Sequence, residues 1–204
     1  NKIEKLYVDY SYSKNSLYDL GERIIRSNNQ TPILLDEHYR SHEDIISFSN
    51  QYFYENNLKV KTSPSNLIES EVTPSGILWI DVKGKVIYPG HSCYNSEEVK
   101  EITHVLKKLV DNNMKNCSFG VVTFFREQKE RIFDKVNSSK ELKEINVSVG
   151  TVHAFQGDEK DIMILSTVVS QGVSDRTLNW IKGTTQLLNV AVTRGKSSLI
   201  VVGD

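Results

Sequence analysis

Apolar and polar positions alternate along this chain with two different periods, and the switches between them mark out its elements. Ser16 to Ile25 carries Leu17, Leu20, Ile24 and Ile25 on one helical face, with Ser16 placed as an N-cap. A polar break at 28–32 is followed by the short apolar run Ile33-Leu34-Leu35, which reads as a buried strand. Ser41, with Asp44 three residues on, has the spacing of a helix start, and Ile45, Ile46, Phe48 and Phe53 supply the stripe. That spacing places Tyr39 and Arg40 in the turn between a strand and a helix. In open α/β sheets ligands bind at such turns, beyond the strand's carboxyl end. The plainer alternative for Arg40 is a surface arginine paired with Glu37 or Asp44.

Residues 59–75 and 83–95 read as loops, flanking a strand over Ile77–Val82. A helix is predicted from Ser96 to about Asn112, burying Val99, Ile102, Val105, Leu106 and Leu109. A strand at Phe119–Thr123 and a helix over Arg126–Val136 follow. From Val147 to Ser166 two apolar runs are separated by a polar segment holding Thr151, His153, Gln156, Asp158, Glu159, Lys160 and Asp161. Polar groups concentrated between two core strands are costly unless they face water or a ligand, so this is either a solvated hairpin tip or a binding turn. A loop at 171–184, a helix over Gln186–Val192 and a strand over Leu199–Val202 complete the pattern. Strands alternating with helices of ten or more residues imply an α/β fold with a mostly parallel sheet covered on both faces.

Composition adds bounds rather than identity. The 204 residues are 38% hydrophobic and 25% charged, an ordinary globular balance. The net charge of −1 gives no bulk attraction to a polyanion, so any such binding must use a local patch. Two cysteines are too few for a disulfide framework, and no stretch is apolar enough to span a membrane, so an intracellular, cytoplasmic location is expected. Gly195-Lys196-Ser197 resembles the end of a phosphate-binding loop, but the preceding glycine position holds Val190 and a helix precedes the triplet. The acidic pair Asp36-Glu37 has no such loop upstream. Alone, this chain is not expected to hydrolyse ATP.

Four stretches together resemble the carboxy-terminal motor domain of superfamily 1 helicases, in the branch that includes the helicase of nonsense-mediated RNA decay. They are Leu35-x-x-His38-Tyr39-Arg40-Ser41-His42, Val121-Val122-Thr123-x-x-x-x-Gln128, Thr151-Val152-His153-x-Phe155-Gln156-Gly157-x-Glu159-Lys160-Asp161 and Leu188-Asn189-Val190-Ala191-Val192-Thr193-Arg194-x-Lys196. The resemblance implies a RecA-like three-layer sandwich, a P-loop NTPase fold without the P-loop. It further implies that residues 1–204 are the second RecA-like domain of a longer polypeptide. The first domain would supply the P-loop and the Mg2+ ligands, and ATP would bind between the two. Arg40 and Arg194 would then be the catalytic arginines. Tyr39 would stack on adenine, Glu159 accept from the ribose, Gly157 admit the phosphates, and Gln128 assist on the nucleotide side. Thr123 and Thr151, with His153, would contact the backbone of single-stranded DNA or RNA. An inert RecA-like scaffold and an unrelated α/β binding domain are the competing classes. The chain departs from the family pattern at His38 (usually Gln), Ser41 (Met), Glu43 (Pro) and Gln186-Leu187 (often two arginines).

Overall fold

The computed structural model describes residues 10–11, 15–68, 72–155 and 157–204. Backbone contacts divide the chain into two units, 1–36 and 37–204. In the first, helix α1 spans Leu17–Ser27 and starts as the sequence predicts. The Ser16 hydroxyl accepts the Asp19 amide, and the Asp19 carboxylate accepts the Ser16 amide, a reciprocal capping box. The predicted strand at Ile33–Leu35 does not form, and Ile33 is 91% exposed. A three-residue apolar run is too short for periodicity to separate a strand from an extended connection.

In the second unit the elements are β1 (Glu37–His38), α2 (Glu43–Phe53), β2 (Lys59–Val60), β3 (Gly76–Asp81), β4 (Val86–Ile87), β5 (Tyr94–Asn95), α3 (Ser96–Asp111), β6 (Phe119–Thr123), α4 (Arg126–Ser138), α5 (Lys140–Lys143), β7 (Val147–Thr151), β8 (Lys160–Ser166), α6 (Asp175–Gly183), α7 (Thr185–Val192) and β9 (Gly195–Gly203). The main sheet has the order β3-β9-β8-β6-β7, and every pairing in it is parallel. Two small two-stranded ladders, β1 with β2 and β4 with β5, lie outside it.

The central strands are apolar on both faces, and the period of two sorts their side chains into two cores. Val121, Ile162, Ile164, Ile200 and Val202 pack with Val99, Ile102, Leu106 and Leu109 of α3 and Ile132 of α4. Their neighbours Val122, Met163, Leu165, Leu199 and Val201 turn to the opposite face, against Ile45 of α2, Val152 and Phe155, and Ala191 and Val192 of α7. The result is the helix–sheet–helix sandwich expected from the RecA-like resemblance. Both cysteines are free and buried, and burial pushes the Cys93 thiol up to about 12.

Several expectations are corrected. The 147–166 stretch is not a hairpin, because β7 and β8 both run parallel to β6, which separates them. His42, not Ser41, caps α2 by accepting the Asp44 amide, while the Ser41 side chain is fully buried. The 171–184 loop contains α6, started by Ser174 accepting the Thr177 amide. The 59–75 and 83–95 loops contain the short ladder strands. Residues 69–71 and Gln156 lie outside the described residues. Among the described residues no helix is long and apolar enough to cross a membrane.

Ile164 contacts water nowhere, so Ile164→Ala should cost about 2–5 kcal/mol of stability. Chemical denaturation reads this directly, and a loss below about 1 kcal/mol would show that the site collapses around the deletion.

Candidate functional site

The polar segments cluster at the two ends of the parallel sheet. At the amino-terminal end, β8 and β9 begin side by side, Lys160 opposite Gly195, and the Lys160 amide donates to the Arg194 carbonyl at 3.0 Å. The loop before α2 is tied to the same place, since the His42 amide donates to the Lys196 carbonyl at 2.7 Å. Three segments far apart in sequence thus meet through backbone hydrogen bonds.

Their side chains converge on the turn at 157–159. Arg40 Nε lies 2.5 Å from Glu159 Oε2, and Lys196 Nζ lies 3.0 Å from Glu159 Oε1. Arg194 Nη1 donates to the Asp158 carbonyl at 3.3 Å, while its Nε donates to the Val190 carbonyl at 3.0 Å and its Nη2 to Thr193 Oγ1 at 3.1 Å. The Lys196 hydrogen bond and charge, with Arg40 beside it, hold the Glu159 carboxyl below its ordinary range. Burial and the like charge of Arg40 pull Arg194 below the usual arginine value, against the opposing pull of Glu159 and Asp158. Arg40 and Arg194 thus approach the same turn, one at the Glu159 carboxylate and the other at the Asp158 carbonyl. Gly157 has φ +89°, a left-handed conformation that a side chain would strain.

Arg40, Tyr39, His38, Glu37, Asn66, Glu159 and Lys196 line an open cavity of about 560 Å3. Tyr39 is 61% exposed and its hydroxyl bonds the Glu37 carboxylate. His38 Nε2 accepts the Ser41 amide at 2.9 Å, and burial, then the Arg40 charge, lower its pKa. The turn carrying Arg40 therefore sits by the amino-terminal ends of β8 and β9, not beyond the carboxyl end of a buried strand. Its carboxylate partner is Glu159, neither Glu37 nor Asp44. Lys196 was visible in the sequence only as part of a motif; its ion pair with Glu159 makes it a member of the site.

The predicted nucleic-acid residues lie at the opposite end, roughly 20 Å away along the seven-residue β8. Thr123 and Thr151 end neighbouring strands in register. Thr151 is half-buried and His153, in the 3-10 turn Val152–Phe155, is exposed. Thr123 is fully buried, however, and its hydroxyl oxygen accepts the Phe125 amide, so the side chain has no exposed surface on which a phosphate could rest. Gln128 is also fully buried, and its partner Ser166 lies at the carboxyl end of β8, not at the rim that holds the arginines. Its Oε1 accepts the Asn95 amide at 2.9 Å and its Nε2 donates to Ser166 Oγ at 2.8 Å. The packing that makes α4 a core helix turns this side chain inward.

Gln128 belongs to a buried network that sequence reasoning missed. Ser166 Oγ donates to Glu98 Oε2 at 2.6 Å, the Val168 amide to the same oxygen at 3.0 Å, and Asn95 Nδ2 to Oε1 at 3.2 Å. Val168 holds φ +62°, unusual for a β-branched residue, and its bond to Glu98 helps keep it there. Burial pushes the Glu98 carboxyl up to about 7, against the lowering effect of these hydrogen bonds. An acid in the first turn of a helix ordinarily signals only a favourable dipole interaction, which hid this role.

A family model described as an AAA domain matches residues 16–204. The protein mov-10-B.1 of Danio rerio is 30% identical over 94% of this chain and 21% of its own length. The uncharacterized ATP-dependent helicase MJ0104 of Methanocaldococcus jannaschii is 29% identical over 91% of this chain and 28% of its own length. Helicase sen1 of Schizosaccharomyces pombe is 32% identical over 94% of this chain and 12% of its own length. The chain thus spans under a third of each of these relatives.

Glu98 binds its proton more tightly folded than unfolded, so its contribution to stability is complete below about 4.5 and is lost as pH rises through about 7. Glu98→Gln should remove that slope. Denaturation midpoints measured across this window check it, and an unchanged slope would place the titration elsewhere.

Proposed function

From the premise that this chain belongs to the AAA-domain family, a family whose similar proteins here are helicases, we propose that it is the second motor domain of an ATP-driven helicase or translocase of superfamily 1. The observation that carries the reading is the approach of Arg40 and Arg194 to a single turn, Gly157 to Glu159, on one rim of the sheet. In this reading ATP lies between that rim and an N-terminal RecA-like domain, and Mg2+ is held by that other domain, where it neutralises phosphate charge.

The cavity chemistry suits a nucleoside triphosphate. Tyr39 offers an exposed ring for stacking, Glu159 a carboxylate for a ribose hydroxyl, and Arg40, Arg194 and Lys196 a cluster of cations for phosphate oxygens. Arg40 and Lys196 currently share the Glu159 carboxylate. Exposed ion pairs of this kind contribute only about 0–1 kcal/mol, so charge-assisted bonds to phosphate readily replace them. Each guanidinium then donates to the phosphoryl oxygens as charge builds there, an interaction worth about 10³–10⁵ in rate for comparable arginines. Closure of the cleft follows from that differential affinity, and its loss on hydrolysis reopens it. Gly157 keeps the turn free of a side chain where the phosphates approach. Thr151 and His153, at the opposite edge, contact the backbone of a single strand of DNA or RNA; such contacts position without reading sequence.

Arg194→Ala in the full-length protein should leave the Kd for ATP within a few-fold while lowering kcat by about 10³ or more. Nucleotide binding and steady-state turnover measured on the same preparation test it; near-normal kcat would remove Arg194 from catalysis. The 204-residue chain alone should show no ATP hydrolysis above background.

A further inference from the structure

Beyond Thr123 the chain leaves β6 through Phe124 and Phe125, and both rings meet Trp180 of α6. The Phe125 and Trp180 centroids are 5.7 Å apart at 52°, and those of Phe124 and Trp180 are 6.4 Å apart at 85°. From the other side, the Tyr88 hydroxyl accepts the Ser174 amide at 2.9 Å and lies 3.1 Å from Thr177 Oγ1, which fixes its ring against the start of α6. These four rings, with Arg126 and Arg176, line a cavity of about 430 Å3, within the size range of small-ligand sites.

Two features distinguish this cavity from core packing. Trp180 and Tyr88 remain 42% and 40% exposed although their neighbours hold them firmly in place. Rigid aromatic surface left open to water marks an interaction site. In addition, Arg126 and Arg176 are both exposed and form no ion pair among the described residues, whereas Arg40 and Arg194 at the other rim are engaged. Ring faces flanked by free guanidiniums match one ligand chemistry: a flat π-system joined to phosphates.

We propose that this cavity takes one unpaired nucleobase of a single-stranded nucleic acid, stacked on Trp180 and Tyr88, with the flanking phosphates on Arg126 and Arg176. The proposal rests on the motor reading and deepens it. It supplies the grip that the buried Thr123 hydroxyl cannot, a few residues further along the same edge. Stacking on ring faces accepts any base, as a translocating motor requires.

The 204-residue chain has two tryptophans, so a Trp79→Phe background leaves Trp180 as the sole indole reporter. A short oligothymidylate and an oligouridylate are titrated in, alongside an abasic oligomer of equal length and a polyglutamate peptide. The base-bearing oligomers should quench Trp180 and bind about 5- to 150-fold more tightly than the abasic one. Arg126→Gln and Arg176→Gln, surface changes that spare the fold, should each flatten the salt dependence of binding by about 0.7 in log–log slope. Trp180→Ala, read by anisotropy of a labelled oligomer, should erase the preference for bases. Equal affinity for the abasic oligomer, equal quenching by polyglutamate, or no binding of any oligomer would overturn the proposal. Oligomer binding that leaves Trp180 unquenched would overturn it while leaving the motor reading intact. Normal turnover in full-length Arg194→Ala would undermine that reading without touching this cavity.

Discussion

Strand β8 is covered on both faces, and that constraint organises the rest of the molecule. Ile162 and Ile164 point into one core and Met163 and Leu165 into the other, so no side chain along its middle can carry chemistry. A polar group there would lose its hydration without a partner, at a cost of about 1–3 kcal/mol or more. Chemistry is therefore expelled to the two ends. At the amino-terminal end stand Asp158, Glu159 and, through the register with β9, Arg194 and Lys196. At the carboxyl end stand Ser166 and its register partner Thr123, with the buried Glu98 behind them.

The two ends differ in how tightly their charges are held. At the amino-terminal rim, Glu159 is surrounded by three cationic side chains and remains partly exposed, so its pairs are weak and exchangeable. Behind the carboxyl edge, Glu98 is sealed from water and satisfied by Ser166, Val168 and Asn95. Breaking a buried network of this kind leaves an unpaired polar atom, so it acts as a fixed brace. The same residue type thus serves as a replaceable counter-ion at one end and a structural tie at the other. The net charge of −1 conceals both roles, because the positive cluster is local and partly offset by Asp158, Glu159 and Asp161.

Much of this was legible in the chain. The stripe Val99–Leu109 gave a helix with its buried face, because that element is long enough to display its period, and Phe119–Thr123 gave a strand as an unbroken run that is buried throughout. The meeting of Arg40, Glu159 and Arg194 was accessible only through resemblance, since over a hundred residues separate the first from the others. What escaped reading had physical causes. Ile33–Leu35 is too short to declare its state. Helix α6 is only nine residues long and has no fully buried residue, so its few apolar positions do not set it apart from a loop. Gln128 and Thr123 match family positions, but sequence cannot show that packing faces them inward. The aromatic cavity joins Tyr88, Phe124 and Trp180 only after folding, and in the sequence Tyr88 and Trp180 fall in stretches that read as loops.

The hydrogen bond from the His42 amide to the Lys196 carbonyl has a mechanical consequence. It fastens the segment bearing Arg40 to the first residues of β9, the strand that directly continues from Arg194. The Lys160 amide fastens that same junction to β8. The backbone segments that carry Arg40 and Arg194 are thus joined through the first residues of β9, so a shift of one strains the hydrogen bonds that hold the other. A displacement of the loop before α2 is therefore resisted at the junction of β8 and β9, which lies inside the parallel sheet rather than on a free loop.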